Sequence, residues 1–218
     1  MERDPWLPDR LLRTERDALM PLLRRTPEEA YELRTACPGW TVRQVVAHCG
    51  AALVRIVEDR LEEGVFLPEA NACDVAERED WPLGRILDEL ERGLTEAGPV
   101  IAGREDGRLD AVALGEWVHA GDVREAFGEP GAYCGPSLDL ALPLLAATSR
   151  TRETPRLMGV LTDRDPTPVA LGNETKGRPT ATYEGDASTL IRIYAGRPLI
   201  RTRYALHGAT ESELLIYR

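Results

Sequence analysis

At 218 residues the chain exceeds one small domain, falls short of two full ones, and is long enough to bury a core without disulfide staples. Hydrophobic residues at 43% and charged residues at 29% are globular values, which excludes disordered and collagen-like classes. The net charge of −10, from 27 basic and 37 acidic side chains, repels phosphate backbones and anionic lipid, so neither nucleic acid nor a membrane is expected as a partner.

Residues 9–25 place Leu11, Leu12, Leu19, Leu22 and Leu23 near helical spacing, with Pro21 inside the pattern as a kink or early stop. Pro38-Gly39 marks a turn. Thr41 then caps a second helix whose apolar stripe takes in Val42, Val45, Val46, Leu53, Ile56 and Val57, with Gly64 as its stop. Residues 65–80 show no clear period and read as a long loop. A third helix begins at 81–82 and carries Leu83, Ile86, Leu87, Leu90 and Leu94 on one side, and a fourth covers 110–127 before Gly128. Residues 128–137 are a Gly/Pro-rich connector.

After one more apolar helix the period shifts towards two. LMGVLT, PVALG and PTATYEG read as short strands, DASTLIRIYAGR as a helix capped by Asp186 or Ser188 and closed by Gly196, and RTRYALHG and SELLIY as further strands. The expected class is α+β: a four-helix bundle over 1–136, followed by a small α+β domain over 137–218. No apolar run approaches the roughly 18 residues of a membrane helix. The leading MERDPWLPDR has no apolar signal core, and the four cysteines, Cys37, Cys49, Cys73 and Cys134, form no CxxC pair. A reduced, soluble, cytoplasmic protein is the expectation.

Only three histidines are present, His48, His119 and His207. His48 falls on the apolar side of the second helix. Glu116 precedes His119 by three residues, so carboxylate and imidazole share a helix face, and Asp122 lies three residues further on. A histidine from a facing helix would complete a His/Glu/His set suited to a divalent transition metal with positions open to water or substrate. The plainer alternatives are satisfied core histidines, and a solvated charged face in which Glu116 and Asp122 continue into Arg124 and Glu125. Cys37 and Trp40 read as residues packing the Pro-Gly turn, and Trp117 as core. Cys49 points about 100° away from His48 and is a poor co-ligand. His207 has no evident partner.

The segment TACPGWTVRQVVAHCGAAL resembles the signature of the mycothiol-dependent maleylpyruvate isomerase family, with Gln44 where an aspartate is usual. VHAGDVREAFG, residues 118–128, is similar to the family's second motif, and TATYEGDASTLIRIYAGRP is near its C-terminal pattern. The resemblance implies a DinB-like bundle in which His48 and His119 ligate a divalent metal, commonly zinc. The family's third ligand is a carboxylate four residues before the second histidine. Gly115 stands there in this chain, and Glu116 follows one position later.

Asp122 matches the aspartate of the second motif and is assigned an orienting role beside the ligands. Arg197 matches the arginine of the C-terminal pattern and could meet a carboxylate of the thiol ligand, the competing role being a surface ion pair. The implied activity is a metal-dependent thiol transferase or isomerase, in which mycothiol as co-substrate attacks a small electrophile as its thiolate. Two other readings stay open: a small-molecule-binding relative with a degraded metal site, favoured by Gly115 and Gln44, and a metal hydrolase that uses no thiol. Pairing into a homodimer through exposed bundle helices is also open.

Overall fold

The computed structural model describes residues 3–164, 168–200 and 202–217. The chain is α+β and divides into two units, Met1–Ser137 and Leu138–Arg218.

In the first unit, Pro8 near its start favours entry into α1, Leu7–Arg25. This helix runs through Pro21 without stopping. Leu19, Leu22 and Leu23 are buried around the proline, and the Thr26 backbone N–H closes the end on Leu22 and Leu23 carbonyls. Burying those leucines offsets the one backbone hydrogen bond that proline cannot donate. α2, Val42–Val57, starts in a capping box: Gln44 N–H donates to Thr41 Oγ1 (3.3 Å) and Thr41 N–H donates to Gln44 Oε1 (2.9 Å). Gln44 thus performs the reciprocal capping that a glutamine at this position allows. The helix ends at Val57, well before Gly64, which instead takes a positive φ of 83° in the following turn.

The loop expected over 65–80 contains a helix, α3, Pro68–Ala76. Asp74 is its one buried residue and accepts from Arg55 Nε at 3.1 Å on α2, so an ionic anchor holds this helix where an apolar stripe would otherwise be sought. α4, Leu83–Ala102, buries Ile86, Leu87, Leu90 and Leu94, and α5, Asp110–Ala126, completes the bundle. α1 packs on α4 and α5, and α2 packs on α3, α4 and α5. Gly93 permits the close α2–α4 approach, since a Cβ there would lie 2.6 Å from Leu53 Cβ.

The second unit opens with α6, Leu138–Thr151. Its strands are β1, Leu157–Leu161, β2, Val169–Leu171, β3, Ala181–Gly185, and β4, Tyr204–His207. They form one sheet in the order β2-β1-β3-β4, with β1 and β3 parallel and both outer pairs antiparallel. α7, Ala187–Ala195, is capped by Asp186, which accepts from Thr189 N at 2.6 Å, and closes on Gly196 at φ 66°. Arg201, the first residue of the RTRYALHG segment, lies outside the described residues. SELLIY is not a strand. A 3₁₀ turn, Glu211–Glu213, leads to buried Leu214 and Ile216, and Ile216 N–H bonds the Tyr194 carbonyl at the end of α7. The alternating burial in this segment comes from docking on α7. No helix among the described residues is long and apolar enough to cross a membrane.

Candidate metal centre

α2 and α5 bring His48 and His119 together: their ring centroids are 5.3 Å apart and nearly perpendicular at 81°. The Thr41 cap fixes the start of α2 two turns before His48. Trp40, the last residue of the preceding turn, lies against both imidazoles, with centroid distances of 4.9 Å to His48 and 6.3 Å to His119. It packs on the candidate site itself, beyond the turn-packing role expected of it.

The charged-face alternative fails on burial: Glu116 is 6% exposed, Asp122 0% and Arg124 8%. Asp122 holds His119, its Oδ2 lying 3.1 Å from Nδ1, while Tyr133 Oη–H donates to its Oδ1 at 2.6 Å. A carboxylate paired with Nδ1 favours the tautomer with its proton there, which leaves Nε2 as the basic ring nitrogen. Gly121 makes room for Tyr133, because a Cβ at that position would stand 2.4 Å from the tyrosine ring.

Burial first, then the neighbouring His119 and Arg78, press the His48 pKa down to about 3, so its imidazole is neutral at neutral pH. Its Nδ1 is buried and has no hydrogen-bond partner, and Glu116 Oε2 is in the same condition. Such orphaned atoms each cost about 1–3 kcal/mol, and the unpaired His48 nitrogen beside the clustered ligand atoms of Cys37, His119 and Asp122 is a lone pair that a cation would satisfy. The residues present therefore fit a divalent metal.

Burial raises the Glu116 pKa to about 7, against the opposing pull of His119 and a hydrogen bond from the Cys49 thiol. Burial and the facing Glu116 carboxylate push the Cys49 thiol well up, so it stays protonated. Both side chains line an interior cavity of about 10 Å³, roughly one water in size, which Glu15 and His119 also border. The position of Glu116 follows from the helix: Gly115 and His119 share the partly buried stripe of α5, whereas Glu116 and Ala120 share the fully buried one. Among the described residues, the group of three whose ligand atoms lie within 4.8 Å of one another is Cys37, His119 and Asp122. Cys37 was read from sequence as a packing residue, and its only signal was its place in the motif turn.

A second buried network supports α5. Trp117 Nε1 donates to Ser137 Oγ (2.7 Å), Ser137 donates to Glu15 Oε2 (2.9 Å), and Arg124 pairs with Glu15. Arg197 lies in the second unit just after α7, its guanidinium donating to the Ala195 carbonyl at 3.0 Å. His207 is exposed on β4.

Residues 12–175 match the family described as the mycothiol maleylpyruvate isomerase N-terminal domain. The chain belongs to this family. Two solved structures of the mycothiol-dependent maleylpyruvate isomerase, one a histidine-to-alanine mutant, are similar to it with TM-scores of 0.57 and 0.58. Each covers 95% of this chain and 95% of its own, at 14% and 13% identity, so that likeness is one of fold. No curated protein matches significantly. The segments that resemble the family's motifs lie on α2, the turn before it, and α5.

Proposed function

We propose that the chain is a metal-dependent thiol transferase or isomerase that uses mycothiol against a small electrophile. The observation carrying this reading is the paired His48 and His119 on facing helices, one with an orphaned buried nitrogen and the other held by Asp122. In this reading both imidazoles hold a divalent metal, zinc being the family's usual ion. A third donor closes the set: Glu116 by the sequence pattern, or a side chain of the cluster around Asp122. When bound, such an ion lowers the pKa of a coordinated thiol, making a thiolate available at neutral pH.

The chain's own residues do the rest. Asp122 fixes the His119 ring and Trp40 walls off one side of both imidazoles. Glu116, with its pKa near 7, can hold or release a proton close to the reacting atoms. Arg197 is proposed to meet a carboxylate of the thiol ligand. Gln44 no longer argues for a degraded relative, since it completes the helix cap. The test is metal content together with turnover. Wild type should bind one metal per chain and consume electrophile only with mycothiol present, and His48→Ala and His119→Ala should lose both properties. Equal turnover with water alone would replace this reading with a hydrolase, and absence of bound metal would end it.

A further inference from the structure

We propose that Cys37 supplies the third protein ligand of the metal centre, in the position that sequence spacing gives to Glu116. The inference rests on the metal-dependent reading above and specifies its donor set. Three observations carry it. First, the ligand atoms of Cys37, His119 and Asp122 lie within 4.8 Å of one another, a group that includes neither Glu116 nor His48, while the His48 ring faces that of His119 at 5.3 Å between centroids. Second, Glu116 lies on the buried stripe of α5, in the small interior cavity that His119 also borders, and accepts a hydrogen bond from the Cys49 thiol there.

Third, the turn holds Cys37 in place. Its backbone N–H donates to Thr35 Oγ1 at 3.2 Å, its carbonyl accepts from Trp40 N–H at 3.3 Å, and Trp40 packs on both histidine rings. A ligand fixed at its backbone loses little freedom when it binds.

The chemistry agrees. A thiolate carries the same single negative charge as a carboxylate, so a His₂Cys set balances charge as a His₂Glu set does. Zinc accepts sulfur, nitrogen and oxygen donors alike, and a softer set disfavours magnesium and calcium. Three protein ligands leave a fourth position for the incoming thiol. Asp122 stays on His119 Nδ1, consistent with an orienting carboxylate.

Cobalt(II) titration of metal-free protein tests this without any turnover assay. Wild type should bind one Co(II) per chain and develop a thiolate-to-cobalt charge-transfer band in the near ultraviolet. Cys37→Ser should lose that band, while Cys49→Ala and Glu116→Gln keep it. Alkylation mapping of wild type gives a second readout should Cys37→Ser misfold: zinc should protect Cys37 but leave exposed Cys73 reactive. One bound Co(II) with no thiolate band, a band that survives in Cys37→Ser, or Cys37 alkylated equally fast with zinc would overturn the assignment and leave the metal-dependent reading standing. No bound Co(II) would overturn both.

Discussion

Asp122 is wholly buried and serves two side chains at once, the His119 ring and the Tyr133 hydroxyl. An asparagine there keeps the shape but presents an amide N–H₂ where one of those groups needs an acceptor. Asp122→Asn should therefore bind metal about 10–100-fold more weakly, as substitutions beside metal ligands typically do. Competition against a chelator measures this, and wild-type affinity would deny Asp122 its orienting role. The pairing of His48 with His119 was legible in the sequence because both sit inside dense motifs with helical spacing. The place of Glu116 was not, since a one-residue offset moves the carboxylate to the buried stripe that Ala120 shares while leaving the spacing plausible. Cys37 was harder still, because its sulfur reaches His119 from a turn, and turns have no period from which to read direction.

Helix ends were legible where a capping side chain or a left-handed glycine marks them, as at Thr41, Asp186 and Gly196. Elements held by charge or by docking were missed. α3 hangs on the Arg55–Asp74 pair, and the C-terminal SELLIY segment is shaped by α7 and by Glu213. Glu213 accepts from Arg178 at 2.8 and 3.0 Å and from Thr210 N and Oγ1 at 2.8 and 3.0 Å. Those bonds, Arg178 first, lower its pKa from 4.5 to about 2. A carboxylate depressed by folding stabilises fully above its unfolded pKa, and that contribution is lost as pH falls through the folded one. The thermal midpoint of Arg178→Ala should lie below that of wild type by a steady margin above about pH 5, and the margin should shrink towards pH 2. A margin independent of pH would mean that Glu213 draws nothing from the arginine.

On the scale of the whole molecule, His48, His119, Asp122, Glu116 and Cys37 all fall within Met1–Ser137. The Ser137 hydroxyl links Trp117 to Glu15 from the last position of that unit, so any shorter bundle would lose the link. A fragment of residues 1–137 should then fold as a helical unit and bind one Co(II), judged by far-ultraviolet circular dichroism and titration. A fragment ending at residue 136 should melt lower. An unfolded 1–137 fragment would show that the bundle depends on the rest of the chain, and the two-domain division proposed from sequence would have to be given up.

Of the chain's four tryptophans, Trp6 is exposed, Trp81 lies under the Arg78 and Arg85 guanidiniums, and Trp117 is buried against Ser137. Trp40 is the one whose ring contacts among the described residues are imidazoles, those of His48 and His119. A charged imidazolium quenches indole emission far more than a neutral ring does, and a ring whose lone pair is engaged can no longer charge. In a variant that keeps Trp40 as its single tryptophan, indole emission should therefore report on the two histidine rings from the turn that precedes α2.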